Sequence, residues 1–76
     1  MTSSSSDLQD HFLNSLRKES IPATFFLVNG FQLKGTISAF DIFTLVINAD
    51  GKQQMVYKHA ISTIIPTRAL DLNKER

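Results

Sequence analysis

A cation and an imidazole stand side by side at Lys58-His59, between two short runs of strand-forming residues. These runs extend over residues 54–57 and 61–65. Because an unpaired charge is costly to bury, we expect the pair at the surface. Two interpretations follow from the residues alone. The pair is either a solvated turn between two edge strands, or a cluster of donors held at a fixed point for an anionic or hydrogen-bonding ligand.

Four phenylalanines could supply a second kind of contact, the stacking of an aromatic ring on a ligand. Phe43 follows a turn and begins an apolar strand, so it is either a core residue or an exposed stacking platform. Phe25 and Phe26 point to opposite faces of one strand, so at least one belongs to the core. The other is expected to be exposed or at an interface, as is Phe31 beside a hairpin turn.

The residues give no support to catalysis or to metal binding. His11 and His59 are the only histidines, and neither lies near a carboxylate and a nucleophile in a catalytic pattern. The chain has no cysteine, no Cys/His metal spacing and no GxxxxGK phosphate loop. We therefore predict a protein that is not an enzyme and that uses no metal and no cofactor.

Length and composition limit the chain to one small domain. A chain of 76 residues is only marginally stable alone, and it has no disulfide that could stabilise it. Oligomerisation is therefore expected. A formal net charge of +1 does not by itself indicate a nucleic-acid partner, although a fold can cluster charge and symmetry can multiply it. No apolar run is long enough to span a bilayer, and no signal-peptide pattern is present. These features predict a cytoplasmic protein without a membrane partner.

The N-terminal part of the sequence predicts one helix over residues 7–19, after a disordered lead at 1–6. Ser6 and Gln9 have the spacing of a capping box, which is one explanation of Gln9. The other is a polar group directed at something beside the core. Arg17 and Lys18 in the last turn suit the helix dipole. The apolar face is expected to contain Leu8, Phe12, Leu13 and Leu16.

The remaining sequence predicts five strands, at about residues 23–29, 31–40, 43–48, 52–58 and 61–65, and a charged tail at 67–76 with little to bury. The second strand is too long for a small barrel unless it bends, and Gly35 is the expected position of the bend. Phe31, Leu33, Ile37 and Ala39 are expected to share one face of it. The predicted fold is mainly β with an N-terminal α-helix, a small and strongly bent five-stranded open barrel. Its last two strands have free edges, which favour head-to-tail closure into a ring.

The segment 57–63, Tyr-Lys-His-Ala-Ile-Ser-Thr, resembles the second Sm motif of the Hfq family, the bacterial Sm-like RNA chaperones. The resemblance extends in order over roughly residues 8–66. Further matching segments are Leu8-Gln9-Asp10, Phe12-Leu13-Asn14, Leu16-Arg17, Leu27-Val28-Asn29-Gly30, Phe40-Asp41 and Phe43. It implies an Sm-like fold, a homo-oligomeric ring that is a hexamer, and single-stranded RNA as partner. The implied function is to promote pairing of small regulatory RNAs with mRNAs, with effects on translation and RNA stability.

The resemblance also implies three RNA-binding surfaces. A proximal face would bind U-rich 3′ ends through Gln9, Asp10, Phe43, Tyr57, Lys58 and His59. A distal face would bind A-rich RNA through Phe26, Asn29, Gly30, Phe31, Gln32, Lys34, Gln54 and Thr63. A lateral rim would contact RNA bodies through Asn14, Arg17 and Lys18, although two adjacent cations in a last helical turn are usually just partners of the helix dipole.

Several positions depart from the family pattern. Phe26 replaces a common tyrosine and Phe31 replaces an aliphatic residue, and both keep an aromatic ring to stack on adenine. The loss of the tyrosine hydroxyl and Gln32 in place of a frequent lysine favour a two-nucleotide distal repeat over a three-nucleotide one. On the rim, Glu19 follows the two cations, and Ser20 and Asn48 stand where basic residues are frequent. We therefore expect weak RNA annealing. The alternative function is an SH3-like structural or peptide-binding module, which would have no need of cations converging at a pore.

Overall fold

The computed structural model describes residues 5–70 and contains one helix followed by five strands. The helix α1 covers Ser5–Lys18. The strands are β1 (Ala23–Leu27), β2 (Gln32–Phe40), β3 (Thr44–Ala49), β4 (Lys52–Tyr57) and β5 (Ile61–Pro66). A 3-10 helix, Lys58–Ala60, joins β4 to β5. The predicted class, mainly β with an N-terminal helix, is confirmed. The expected disorder of residues 1–4 and the tail beyond residue 70 lie outside the described residues.

Helix α1 begins earlier than its sequence pattern predicts. Because Ser5 and Ser6 already lie within the helix, Ser6 is not its N-cap. Leu13 and Leu16 are buried against the sheet, whereas Leu8, which is predicted on the same apolar face of the helix, is 58% exposed. The first turn of the helix extends past the core that its later turns cover. No helix within residues 5–70 has the length and apolar character needed to cross a membrane.

A residue in the left-handed conformation follows the end of the helix. Ser20 has a φ of 51°, and the N–H groups of Ser20 and Ile21 donate to the carbonyl oxygens of Arg17 (3.2 Å) and Leu16 (3.0 Å). Such bonds satisfy carbonyl groups that the last helical turn would leave without partners. The chain then enters β1 through Pro22.

All strand pairs are antiparallel, and the sheet has the order β4-β3-β2-β1-β5. Strand β2 pairs with β1 up to Gly35 and with β3 from Thr36 onwards, so the long strand belongs to both halves of the sheet. A β-carbon at Gly35 would overlap the carbonyl oxygen of Asn48. Glycine is therefore required by close backbone approach, at the position where the sequence predicts the bend.

A shift in register between Ile37 and Ala39 alters the predicted faces of β2. Ile37 is buried, but Ala39 is exposed and Phe40 instead packs against the core. The expectation that Ala39 lies on the core face is wrong, because an extra residue in a strand exchanges the faces beyond it.

The two hairpin turns predicted from Asn29-Gly30 and Asp50-Gly51 differ in geometry. Asp50 and Gly51 both have positive φ, 54° and 76°, as a two-residue type I′ turn requires. In the other hairpin only Gly30 has a positive φ, 96°. Residues 28–30 form a longer loop, which is closed by a hydrogen bond of 2.8 Å from the N–H of Leu27 to the carbonyl oxygen of Phe31. Because of this three-residue loop, β1 ends at Leu27 and β2 begins at Gln32, so both strands are shorter than predicted.

The core lies between α1 and the concave side of the sheet. Its fully buried large side chains come from the helix, the loop after it and two central strands, and they are Leu16, Ile21, Phe25, Leu45 and Ile47. Strand β4 adds only Val56, and each of β4 and β5 has a single neighbouring strand. The last two strands are thus the edges of the sheet, with Met55, Tyr57 and Ile65 exposed on them.

Residues 67–70 return to the end of α1 after β5. The N–H of Thr67 donates to the carbonyl oxygen of Pro22 at 2.9 Å, and the guanidinium of Arg68 lies 3.2 Å from a carboxylate oxygen of Glu19. Leu70 packs against the core cluster. Thr67, Arg68 and Ala69 are nevertheless exposed and Leu70 is only partly buried, so this segment buries little, as predicted, although it returns to the end of α1.

Candidate nucleic-acid interface

The turn between β2 and β3 is built on the carboxylate of Asp41. Its Oδ1 accepts hydrogen bonds from the N–H of Phe43 (2.9 Å), and from the N–H and hydroxyl of Thr44 (both 2.8 Å). The N–H of Asp41 in turn donates to the carbonyl oxygen of Thr44 at 2.9 Å. Phe43 stands just before β3 with its side chain 70% exposed, so it is an exposed ring on a fixed turn and not a core residue.

The same bonds perturb the ionisation of Asp41. The hydroxyl of Thr44, followed by the backbone N–H groups of Phe43 and Thr44, lowers the pKa of Asp41 below its ordinary value of 3.8. Lys58 adds a smaller coulombic contribution in the same direction. Because donors to a carboxylate favour its charged form, the turn holds Asp41 ionised.

This lowered pKa predicts a pH dependence of folding stability. The contribution of Asp41 is fully present above pH 3.8 and is lost as the pH falls through the lower pKa of the folded state. We expect the difference in unfolding free energy between the wild type and Asp41→Asn to shrink as the pH falls below about 4. Urea unfolding over a pH series measures it, with Thr44→Val as an intermediate because it removes the largest cause. A difference that is constant with pH would contradict the assignment.

Lys58 connects this turn to the helix. Its N–H donates to the carbonyl oxygen of Phe43 at 2.8 Å, and its Nζ donates to Oε1 of Gln9 at 3.3 Å. The same Nζ lies 5.4 Å from the ring centroid of Phe40, within cation–π distance. Gln9 thus contacts a polar group beside the core, the second of its two predicted explanations. Lys58 is half-buried and held from three sides, unlike a freely solvated lysine.

Two further side chains of the predicted proximal set stack on each other. The rings of Tyr57 and His59 have centroids 5.8 Å apart and an interplanar angle of 20°. Asp10 lines an open cavity of about 370 Å³ together with two other members of the predicted proximal set, Gln9 and Lys58. The cavity is lined by Gln9, Asp10, Phe40, Asp41, Ile42 and Lys58.

Sequence reasoning placed a turn at Asp41-Ile42 and matched Phe40-Asp41 to the family, but it included neither Phe40 nor Asp41 among the site residues. Phe40 lies beneath the ammonium of Lys58, and Asp41 positions Phe43. The signal for Asp41 was present, since an aspartate before a turn that accepts from the next N–H groups is a common turn former. The signal for Phe40 was absent, because the register shift that turns it inwards is not visible in the alternation of β2.

On the opposite part of the sheet, the adjacent phenylalanines separate as predicted. Phe25 is fully buried, whereas Phe26 is half-buried on the other face. Phe26 is the register partner of Gln32 on β2 and of Thr63 on β5. Three of the predicted distal residues therefore form one row across three strands.

Most other predicted distal residues line one groove of about 730 Å³. Phe31 is 69% exposed there, and its N–H donates to Oδ1 of Asn29 at 3.0 Å, which fixes the loop. The groove also includes Lys52, a cation that sequence reasoning missed. The lining is Gly30, Phe31, Gln32, Leu33, Lys34, Ala49, Asp50, Lys52 and Gln54, so Phe26 and Thr63 lie outside it.

The predicted rim residues lie along the later turns of α1. A guanidinium nitrogen of Arg17 donates to Oδ1 of Asn14 at 2.6 Å, and both residues line a groove of about 340 Å³ with Ser38, Ala39 and Phe40. Lys18 is exposed at the last helical position. Within residues 5–70, no group of three or more His, Cys, Asp or Glu side chains is arranged to hold a metal ion.

A profile of the Hfq protein family matches residues 8–71. The chain belongs to the Hfq family. It is 58% identical to the RNA-binding protein Hfq of Halalkalibacterium halodurans over 72 residues, which cover 95% of this chain and 92% of that protein. The RNA-binding protein Hfq of Desulfitobacterium hafniense is 64% identical over 66 residues, 87% of this chain and 80% of its own length.

The fold of this Hfq family member also matches a crystal structure described as the pleiotropic translational regulator Hfq. The two chains are 41% identical with a TM-score of 0.75, and the match covers 76% of this chain and 97% of the other. The expected Sm-like architecture of the Hfq family is therefore confirmed for the single chain.

Proposed function

We propose that this Hfq family member is a non-catalytic RNA chaperone of the cytoplasm that promotes pairing of small regulatory RNAs with mRNAs. Its relatives in two bacteria are named RNA-binding proteins. One observation carries the proposal: the exposed ring of Phe43 stands on a turn that is hydrogen-bonded to the backbone of Lys58, and Gln9 orients the ammonium of that lysine. An aromatic platform next to oriented donors is how unpaired bases are stacked and read.

The proximal cluster, defined as Gln9, Asp10, Phe43, Tyr57, Lys58 and His59, is proposed to bind U-rich RNA. Phe43 stacks a base, and Lys58 with Gln9 bonds its edge. His59 contacts the sugar and phosphate, with its ring supported by Tyr57. Because Asp41 and the backbone of Lys58 fix the turn before any ligand arrives, little ordering is needed on binding.

The distal surface, consisting of the groove beside Phe31 together with the row of Gln32, Phe26 and Thr63, is proposed to bind A-rich RNA. Phe26 and Phe31 offer aromatic faces, and the groove supplies amide and ammonium donors from Gln32, Lys34 and Gln54. The phenylalanine at position 26 has no hydroxyl to bond a further nucleotide, which favours a repeat of two nucleotides.

Ring assembly is proposed from the two free edges of the sheet. A head-to-tail contact between β4 of one subunit and β5 of the next would pair both edges and cover the apolar side chains exposed on them. Copies of Lys58-His59 would then converge around one axis. The formal net charge of +1 per chain would thus become a concentrated positive field.

We expect the purified chain to be a hexamer with no folded monomer at micromolar concentration. A domain of this size is only marginally stable alone, and the ring would cover the apolar side chains exposed on β4 and β5. Light scattering combined with sedimentation equilibrium over a dilution series measures the mass in multiples of 8.5 kDa. A folded species of 8.5 kDa at micromolar concentration would refute the ring.

The direct test of function is retention of labelled U-rich and A-rich oligonucleotides by the purified chain, with a salt titration. We expect binding of both, with affinity that falls as salt rises because phosphate contacts release counterions. Competition between the two oligonucleotides should be weak, since they are assigned to different faces. A chain that retains neither at low salt would overturn the proposal and favour the peptide-binding alternative.

A further inference from the structure

Arg68 lies at the end of α1 although it is 49 residues from its partner in sequence. Its guanidinium donates to a carboxylate oxygen of Glu19, which directly follows Lys18. The flanking backbone is held independently: the N–H of Thr67 bonds the carbonyl oxygen of Pro22, and Leu70 packs against the core. The position of Arg68 is therefore set by its neighbours in the chain as well as by the ion pair.

We propose that Arg68 is an RNA-backbone contact of the rim, in addition to Asn14, Arg17 and Lys18. This inference rests on the proposed RNA-binding function and adds a residue to one of its three surfaces. Nothing in the sequence pattern of α1 indicates it, because the residue comes from the far end of the chain.

The exposure of the pair allows a phosphate to take the place of the carboxylate. The side chain of Arg68 is 62% exposed and that of Glu19 is 43% exposed. An exposed ion pair contributes little to stability because solvent screens it. A guanidinium has five N–H donors in a planar fork that matches phosphate oxygens, so Arg68 has donors beyond the one that bonds Glu19.

The additional cation changes the charge balance of the rim. Counting Arg17, Lys18 and Glu19 leaves one net positive charge per subunit, which is the basis of the expected weak annealing. With Arg68 included, two net positive charges remain. The rim therefore has a larger net positive charge than residues 17–19 alone suggest, although Glu19 still offsets one of its three cations.

A double-mutant cycle on the full chain tests the inference, with the annealing rate of a complementary RNA pair as readout. The variants are Arg68→Ala, Glu19→Gln and the double variant. We expect Arg68→Ala to slow annealing several-fold and to lower the salt slope of binding to a structured RNA. Glu19→Gln should accelerate annealing. Arg68→Ala should slow it by a similar factor in the Glu19→Gln background, because the phosphate contact does not need the carboxylate.

Two controls separate this result from a structural effect. Arg68→Lys keeps the charge and should retain most of the annealing rate, whereas Arg68→Gln keeps a shorter polar side chain without the charge and should behave as Arg68→Ala does. Affinities for the U-rich and A-rich oligonucleotides, and the ring mass, should be unchanged in every variant.

The inference is overturned if Arg68→Ala has no effect on annealing in the Glu19→Gln background, since Arg68 would then act only by neutralising Glu19. It is also overturned if Arg68→Gln anneals as fast as the wild type. Failure of the proposed function gives a different result, because the wild type itself would then retain neither oligonucleotide.

Discussion

Replacing Lys58 with alanine is expected to weaken binding of U-rich RNA by roughly tenfold or more while A-rich affinity stays nearly unchanged. The ammonium of Lys58 is the charged donor that Gln9 and Phe40 orient beside the Phe43 turn. Charge-assisted hydrogen bonds are about twice as strong as neutral ones. Equilibrium binding of the two labelled oligonucleotides to wild type and variant measures the effect.

Lys34 offers a matched control for Lys58, because it is a lysine in the distal groove. Lys34→Ala removes the same charge and should weaken A-rich binding more than U-rich binding. If both lysine variants lose affinity for both RNAs equally, the lysines contribute only to a general electrostatic field. That result would contradict the assignment of the two RNAs to separate faces.

The second large effect is expected from Phe26→Ala, which should weaken A-rich binding and spare U-rich binding. Stacking of a base on an aromatic ring contributes roughly 1–3 kcal/mol per base, which corresponds to about 5-fold to 150-fold in affinity. Because Phe26 is half-buried, its truncation should also lower the free energy of unfolding. Both quantities are measured, by oligonucleotide titration and by urea unfolding.

Variants of two other phenylalanines distinguish an effect on base stacking from an effect on folding stability. Phe31 is largely exposed, so Phe31→Ala should lower A-rich affinity with little change in stability. Phe43→Ala, on the other cluster, should affect U-rich RNA instead. If Phe26→Ala leaves A-rich affinity unchanged and only destabilises the protein, then Phe26 belongs to the core and not to the binding surface.

The elements of this fold could be predicted where local chemistry decides them. Asp50-Gly51 specifies a type I′ turn because both residues tolerate positive φ, and Gly35 marks the bend because no other residue allows the approach of Asn48. The register shift after Ile37 could not be predicted. It depends on how β2 fits β3 and on which side chain fills the core, and Ser38-Ala39-Phe40 is compatible with either register.

The contacts of the candidate site likewise divide into those that could be predicted from the sequence and those that could not. The motif around Lys58 identified the proximal cluster, and the contact with Gln9 could be anticipated from the resemblance although 49 residues separate the two. The docking of residues 67–70 could not, because Thr-Arg-Ala-Leu has no periodicity and its partners, Pro22 and Glu19, lie at the other end of the chain. Such contacts are determined by the path of β5 across the sheet.

The position of β4 and β5 at opposite ends of the strand order has a consequence for how the proposed ring would form and dissociate. An open row of subunits, whatever its length, leaves one β4 edge and one β5 edge unpaired. Closure removes both at once, and the last contact forms between subunits that are already tethered, so its effective concentration is high. Partial rings should therefore be scarce at every dilution. Loss of one subunit exposes two edges together, which should make dissociation slow and cooperative.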